Sequence, residues 1–141
     1  IMSDNFKIVA QFVKDISSET QNIETYFYVR EFLKNYSLSI NITSAPLKNR
    51  MIEINTQLTY LDKSSPKNKS HFEITYTSVI QVAETIKEKK IIEKIVLCDV
   101  QKEIYPKLEK IFINLLSDSG YPGVKFEKKI DFEQLYSQRL N

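Results

Sequence analysis

The side chains able to do chemistry are few and scattered. His71 is the only histidine and Cys98 the only cysteine. Together they cannot build a zinc site of conventional nitrogen and sulfur ligands, and no Cys-x-x-Cys pair exists to hold a metal or a redox disulfide. A histidine at a strand end reads as structural or solvent-exposed, and a thiol in the apolar stretch around Ile95 to Cys98 reads as inert and buried. Asp15 with Glu19, and Asp99 with Glu103, have the spacing of carboxylate pairs that serve acid–base work, but solvated faces account for them equally well. The only glycines are Gly120 and Gly123, too few for a phosphate-cradling loop or a dinucleotide fingerprint. The expectation is a protein with no catalytic residues, no metal and no cofactor.

Charge narrows the partners. Twenty basic against eighteen acidic residues give a net charge of +2. That balance does not call for a polyanion, and the basic clusters at Lys87, Lys89 and Lys90 and at Lys125, Lys128 and Lys129 are interrupted by Glu88 and Glu127. No nucleic acid is expected. No apolar run approaches a bilayer span, and the first residues lack the uninterrupted apolar core of a secretory signal. With a single cysteine, these features predict a cytoplasmic protein that does not insert into membranes.

The elements that must position these groups follow from periodicity. At 141 residues, with 42% hydrophobic and 27% charged residues, the chain fits a single domain, 1–141, with one core. Phe6, Ile8, Ala10 and Phe12 alternate with Lys7, Val9, Gln11 and Val13, the period of a half-buried strand continuing toward Glu19. Leu38, Ile40 and Ile42 predict a second strand, Ile52, Ile54, Leu58 and Tyr60 a third, and Phe72, Ile74, Tyr76, Ile80 and Val82 a fourth. Turn chemistry at Pro46 and Asn49, and a breaker cluster at 62–68 containing Pro66, make the last three strands an antiparallel meander.

From Ile91 the period becomes helical. Ile104, Leu108, Ile111, Phe112, Leu115 and Leu116 form a stripe that needs the sheet as cover. Pro106 is tolerated only near a helix start, which predicts a break between a helix over 91–99 and a second running to residue 119. Gly120 stops that helix, and Asp131 caps a last one over 132–140. The connection over 21–36 is too long for a hairpin and rich in aromatic residues. It either hides a short helix within 24–34 or forms a functional loop.

Three stretches then resemble the SecB family of protein-export chaperones. They are Lys14-Asp15-Ile16-Ser17 with Glu19, then Phe72-Glu73-Ile74 with Tyr76, then Ile104-Tyr105-Pro106, Gly120-Tyr121-Pro122, Ile130-Asp131-Phe132 and Leu135-Tyr136. The resemblance implies an α+β fold, a four-stranded antiparallel sheet with C-terminal helices on one face. It implies a homotetramer, assembled as a dimer of dimers, with no enzymatic activity. Its implied partners are unfolded preproteins and the SecA translocation motor. Asp15, Glu19 and Glu73 match the acidic positions through which the family docks on SecA, and parity puts Glu73 on a wet face with Thr75 and Thr77, and Asp15 with Lys7 and Gln11. Phe27, Phe32 and Leu33 are the implied client-binding residues. The net charge is slightly positive where the family is usually acidic. Alternatives are a SecB-like chaperone of a toxin–antitoxin system and, from another class, a dimeric hot-dog-type enzyme binding a small molecule.

Overall fold

The computed structural model describes residues 4–64 and 69–140. Strands β1 (Phe6–Glu19), β2 (Ser37–Pro46), β3 (Met51–Leu61) and β4 (His71–Val82) form one antiparallel sheet in the order β1-β4-β3-β2. The expected meander β2-β3-β4 is present, and the expected cluster around Pro66 lies outside the described residues. Asn49 and Arg50 turn the chain between β2 and β3 in left-handed conformations, φ 61° and 60°. Such a backbone is unfavourable for arginine. Its guanidinium offsets this by donating to the carbonyls of Val82, Ala83 and Ile86.

Between β1 and β2 the aromatic connection contains a helix, α1 (Ile23–Glu31), followed by a 3-10 turn at Leu33–Asn35. Asn22 caps α1 through the Thr25 amide, 2.9 Å away. Tyr26 anchors it by donating to the Gly120 carbonyl at 2.9 Å. Gly120 has φ 106°, and a Cβ there would meet the Tyr26 ring at 2.7 Å, so both backbone and packing demand glycine.

The long helix departs from expectation. Helices α2 (Lys89–Lys94) and α3 (Val100–Asp118) are continuous through a π-helical segment, Ile95–Asp99, with right-handed helical dihedrals at Lys94, Ile95, Asp99 and Val100. Pro106 sits inside α3 without ending it. A proline orphans the carbonyl four residues back, here that of Lys102; both residues are exposed, so the carbonyl is open to solvent and the lost bond costs little. Helix α4 (Phe132–Leu140) starts as expected, with Asp131 accepting from the Gln134 amide at 3.1 Å.

Helix and sheet meet on one face. Ile104, Leu108, Phe112 and Leu116 of α3 are buried together with Ile54, Leu58, Phe72, Ile74, Tyr76 and Ile80 of the sheet. Each fully buried side chain of this size contributes about 1.5–3 kcal/mol. One polar contact fixes the helix over the strands. Buried Thr56 donates to Gln101 Oε1 at 3.0 Å, and Gln101 Nε2 donates to the Val96 carbonyl in the π segment at 3.2 Å.

β1 does not keep the simple alternation. Register shifts between Ile8 and Ala10 and between Val13 and Asp15 are bulges, each inserting one residue and inverting the side-chain phase. Phe6, Ile8, Gln11, Val13 and Ile16 therefore pair with the inward residues of β4, while Ala10, Phe12 and Asp15 pair with the outward ones. Gln11 does not share a face with Asp15; its Oε1 accepts from Tyr76 Oη at 2.9 Å on the helix side. Phe12 points away from the core and is 50% exposed.

Candidate functional site

The helices leave two surfaces of the sheet uncovered: its outer face, and the free edge of β2. Both are built by strand alternation, which sends even-numbered residues of β4 to the core and odd-numbered ones outward.

On the outer face the register sets Glu19 opposite His71, Ser17 opposite Glu73 and Asp15 opposite Thr75. The three predicted acidic residues thus share one face of two neighbouring strands. Glu73 is partly buried; its Oε1 lies 3.8 Å from His71 Nε2 and accepts from Thr59 Oγ1 at 3.5 Å. Nearby, Lys14 Nζ lies 3.7 Å from Glu53. Thr77, expected to be wet, is buried and donates to Asn55 at 2.7 Å. It lies opposite Phe12, which the first bulge brings to this face.

At the other edge, β2 pairs only with β3. Three open cavities follow one another along it. The largest, about 650 Å³, lies between Tyr36, Leu38 and Ile40 and the non-regular segment carrying Phe126 and Ile130. It shares Ile40, Leu135 and Gln138 with a second of about 200 Å³, which in turn shares Ile42, Leu97 and Arg139 with a third of about 320 Å³ reaching Pro46 and Ile92. The result is a furrow with an apolar floor and a charged rim at its widest end, spanning the ten residues of β2, about 33 Å long at the usual strand rise. Arg139 Nη2 reaches the Ile42 carbonyl at 3.5 Å, so that carbonyl points away from β3 into the furrow.

The floor of the furrow is aromatic. The Tyr36 and Tyr60 rings lie tilted with their centres 5.2 Å apart, and Tyr60 meets Phe126 edge-on at 5.5 Å. Tyr36 Oη donates to the Ser70 carbonyl at 2.8 Å and accepts the Ser70 amide at 2.9 Å, tying the start of β2 to the start of β4. Burial pushes the Tyr36 phenol up to about 12.

The predicted client residues are not brought together. Phe27 is 49% exposed on α1, where Arg30 stacks over its ring at 5.0 Å. Phe32 is half-buried against Tyr28, 4.6 Å between ring centres, and Leu33 is half-buried against the core. None of the three lines the furrow, whose walls are Leu38, Ile40, Tyr60, Phe126 and Leu135. The period-two pattern had already given Leu38 and Ile40 an inward side. Nothing in it showed that the helices stop short of them.

Cys98 is buried, and desolvation raises its thiol above the ordinary range. It is a poor nucleophile there. Among the described residues no group of three or more His, Cys, Asp or Glu is placed to hold a metal ion, and no helix is long and apolar enough to cross a membrane.

A four-stranded antiparallel sheet with helices on one face is the architecture expected above, and the open furrow along β2 is an addition to it. The family model described as preprotein translocase subunit SecB matches residues 2–141. This chain belongs to the SecB family. It is 55% identical over 140 residues to a SecB protein of Pelagibacter ubique, covering 99% of this chain and all of that one. A protein-export protein SecB of Bradyrhizobium diazoefficiens is 22% identical over 133 residues, 94% of this chain and 81% of the other. A Mycobacterium tuberculosis SecB-like chaperone, solved in complex with an antitoxin peptide, superposes with a TM-score of 0.65 at 8% identity. That match covers 89% of this chain and 88% of the other, and shows that the two share the SecB fold.

Proposed function

We propose that this SecB-family chain is a holdase: it keeps unfolded preproteins extended in the furrow along β2 in the cytoplasm, without catalysis or cofactor, and passes them to SecA for Sec-dependent export. The observation that carries the reading is the apolar furrow itself, open to water along a whole strand edge. A ligand that fits it is long, narrow and apolar, which describes an unfolded chain better than the small molecule of a hot-dog-type enzyme.

The physics is mass action, since a protein that binds only the unfolded state depletes the folded one while in excess. Burying about 400 Å² of client apolar surface at about 25 cal/mol/Å² gives about 10 kcal/mol gross, most of it offset by association entropy. Single sites are therefore weak. Several furrows on one assembly raise avidity through effective concentration.

β1 supports assembly as a dimer of dimers. It is the other edge of the sheet, and Val9, Phe12, Val13 and Ile16 on it are each 38–50% exposed. A row of apolar side chains beside unpaired backbone groups calls for a protein partner. Asp15, Glu19 and Glu73 on the outer face are suited to a basic segment of SecA, where charge sets orientation and on-rate more than affinity. Phe27 remains available as a peripheral client contact on α1.

The test mixes the purified chain with a chemically unfolded, aggregation-prone client and follows light scattering and co-elution. Suppression of scattering is expected at stoichiometric excess; unchanged aggregation would sink the reading.

A further inference from the structure

The net charge of +2 conceals a segregation. Asp15, Glu19 and Glu73 lie on the outer face of the sheet, whereas along the furrow cations outnumber acids. Lys125, Lys128 and Lys129 rim its largest cavity, and Arg139 lies at the boundary of the other two. The ion pairs among the described residues are Lys14–Glu53, His71–Glu73 and Lys102–Glu133, so none of these four cations has a carboxylate partner there.

We infer that the furrow selects extended polypeptide segments whose apolar residues are accompanied by carboxylates, with Arg139 as the anchor and the three lysines as the rim. This rests on the holdase reading and names the kind of client it prefers.

Arg139 carries the argument furthest. Its fork has five N–H donors, yet its one hydrogen bond among the described residues is a long one, 3.5 Å, to the Ile42 carbonyl. The remaining donors border two apolar cavities, where an incoming Asp or Glu can be held by two parallel bonds. Apolar walls lower the local dielectric and strengthen that pairing relative to the open surface. Carboxylates also line the furrow, and they are fewer: Glu127 and Asp131 at the lysine end, Glu93 at the other. The balance is three acids against four cations, and one of those acids, Asp131, is turned to the Gln134 amide as the cap of α4.

Three peptides with one apolar core, flanked by Glu, Gln or Lys, are titrated by fluorescence anisotropy against the full chain, with polyglutamate as a control. The Glu-flanked peptide should bind about tenfold tighter than the Lys-flanked one at low salt, the order expected of a few exposed ion pairs acting together. Added salt should narrow that ratio. Arg139→Gln should narrow it too, and Lys125→Gln/Lys128→Gln/Lys129→Gln should narrow it again; all four positions are exposed, so folding should survive. Equal binding of the three peptides overturns the inference and leaves the holdase reading standing. Binding of none sinks both, and polyglutamate binding as tightly as the Glu-flanked peptide reduces the furrow to a plain anion site and overturns the inference.

Discussion

The two edges of the sheet solve the same problem in opposite ways. β1 leaves apolar side chains exposed on both of its faces, because two bulges turn Phe12 outward while Val13 and Ile16 stay on the helix side beyond the reach of the helices. β2 instead keeps its apolar residues on one side, under an overhang formed by α4 and the segment around Phe126, and ends in Pro46. A bare, irregular edge fits a partner of fixed shape, whereas a roofed and straight one fits any extended chain. The difference teaches that recognition of a defined subunit and tolerance of many clients can be divided between the first and second strands of one small sheet.

Four measurements sharpen or break this division. The largest effect belongs to the core that both edges share. Leu108→Ala, at a fully buried position, should cost about 2–5 kcal/mol in urea denaturation and damage assembly and client binding together. If one edge kept full activity at temperatures where the other failed, the edges would not depend on one core. Next, Val13→Asp with Ile16→Asp should leave circular dichroism intact while sedimentation shows smaller species. An unchanged mass would remove β1 from the interface.

Tyr36→Phe should cost about 1–3 kcal/mol, because the Ser70 amide loses its acceptor. It also has a pH signature. The folded pKa is raised, so this phenol's contribution is fully present below pH 10 and is lost as pH rises toward about 12. Melting curves of the wild type should fall in that window, and those of the variant should fall less. The smallest effect is local to the furrow: Phe126→Ser should weaken client binding about tenfold with the oligomer unchanged. Loss of assembly in that variant would show the two edges to be coupled.

Much of the fold could be read from the chain. Period-two runs placed β2, β3 and β4 because each has one apolar parity, and Gly120 marked the end of the long helix because only a left-handed residue continues there. β1 misled for a physical reason. Val9, Phe12 and Val13 are apolar on both parities, so a bulge leaves no trace in the pattern. Pro106 misled because the cost of proline depends on whether its orphaned carbonyl meets water, which is a matter of helix orientation. The acidic trio shares one face because Glu19, Asp15 and Glu73 sit on strands whose pairing carries them there. The furrow could not be foreseen: it exists where the helical layer ends short of β2 and where the segment over 124–130, which has no periodicity, folds back over the strand.

β4 carries a double text. Its even residues fill the core and its odd residues face out beside the acids of β1, so one letter removed from the strand would exchange the two messages along everything downstream of the deletion. Natural variation in length should therefore be written only into the turn at 47–50 and the connection between β3 and β4, with the bulged first strand as the one place inside the sheet where a residue can come or go without rewriting the rest.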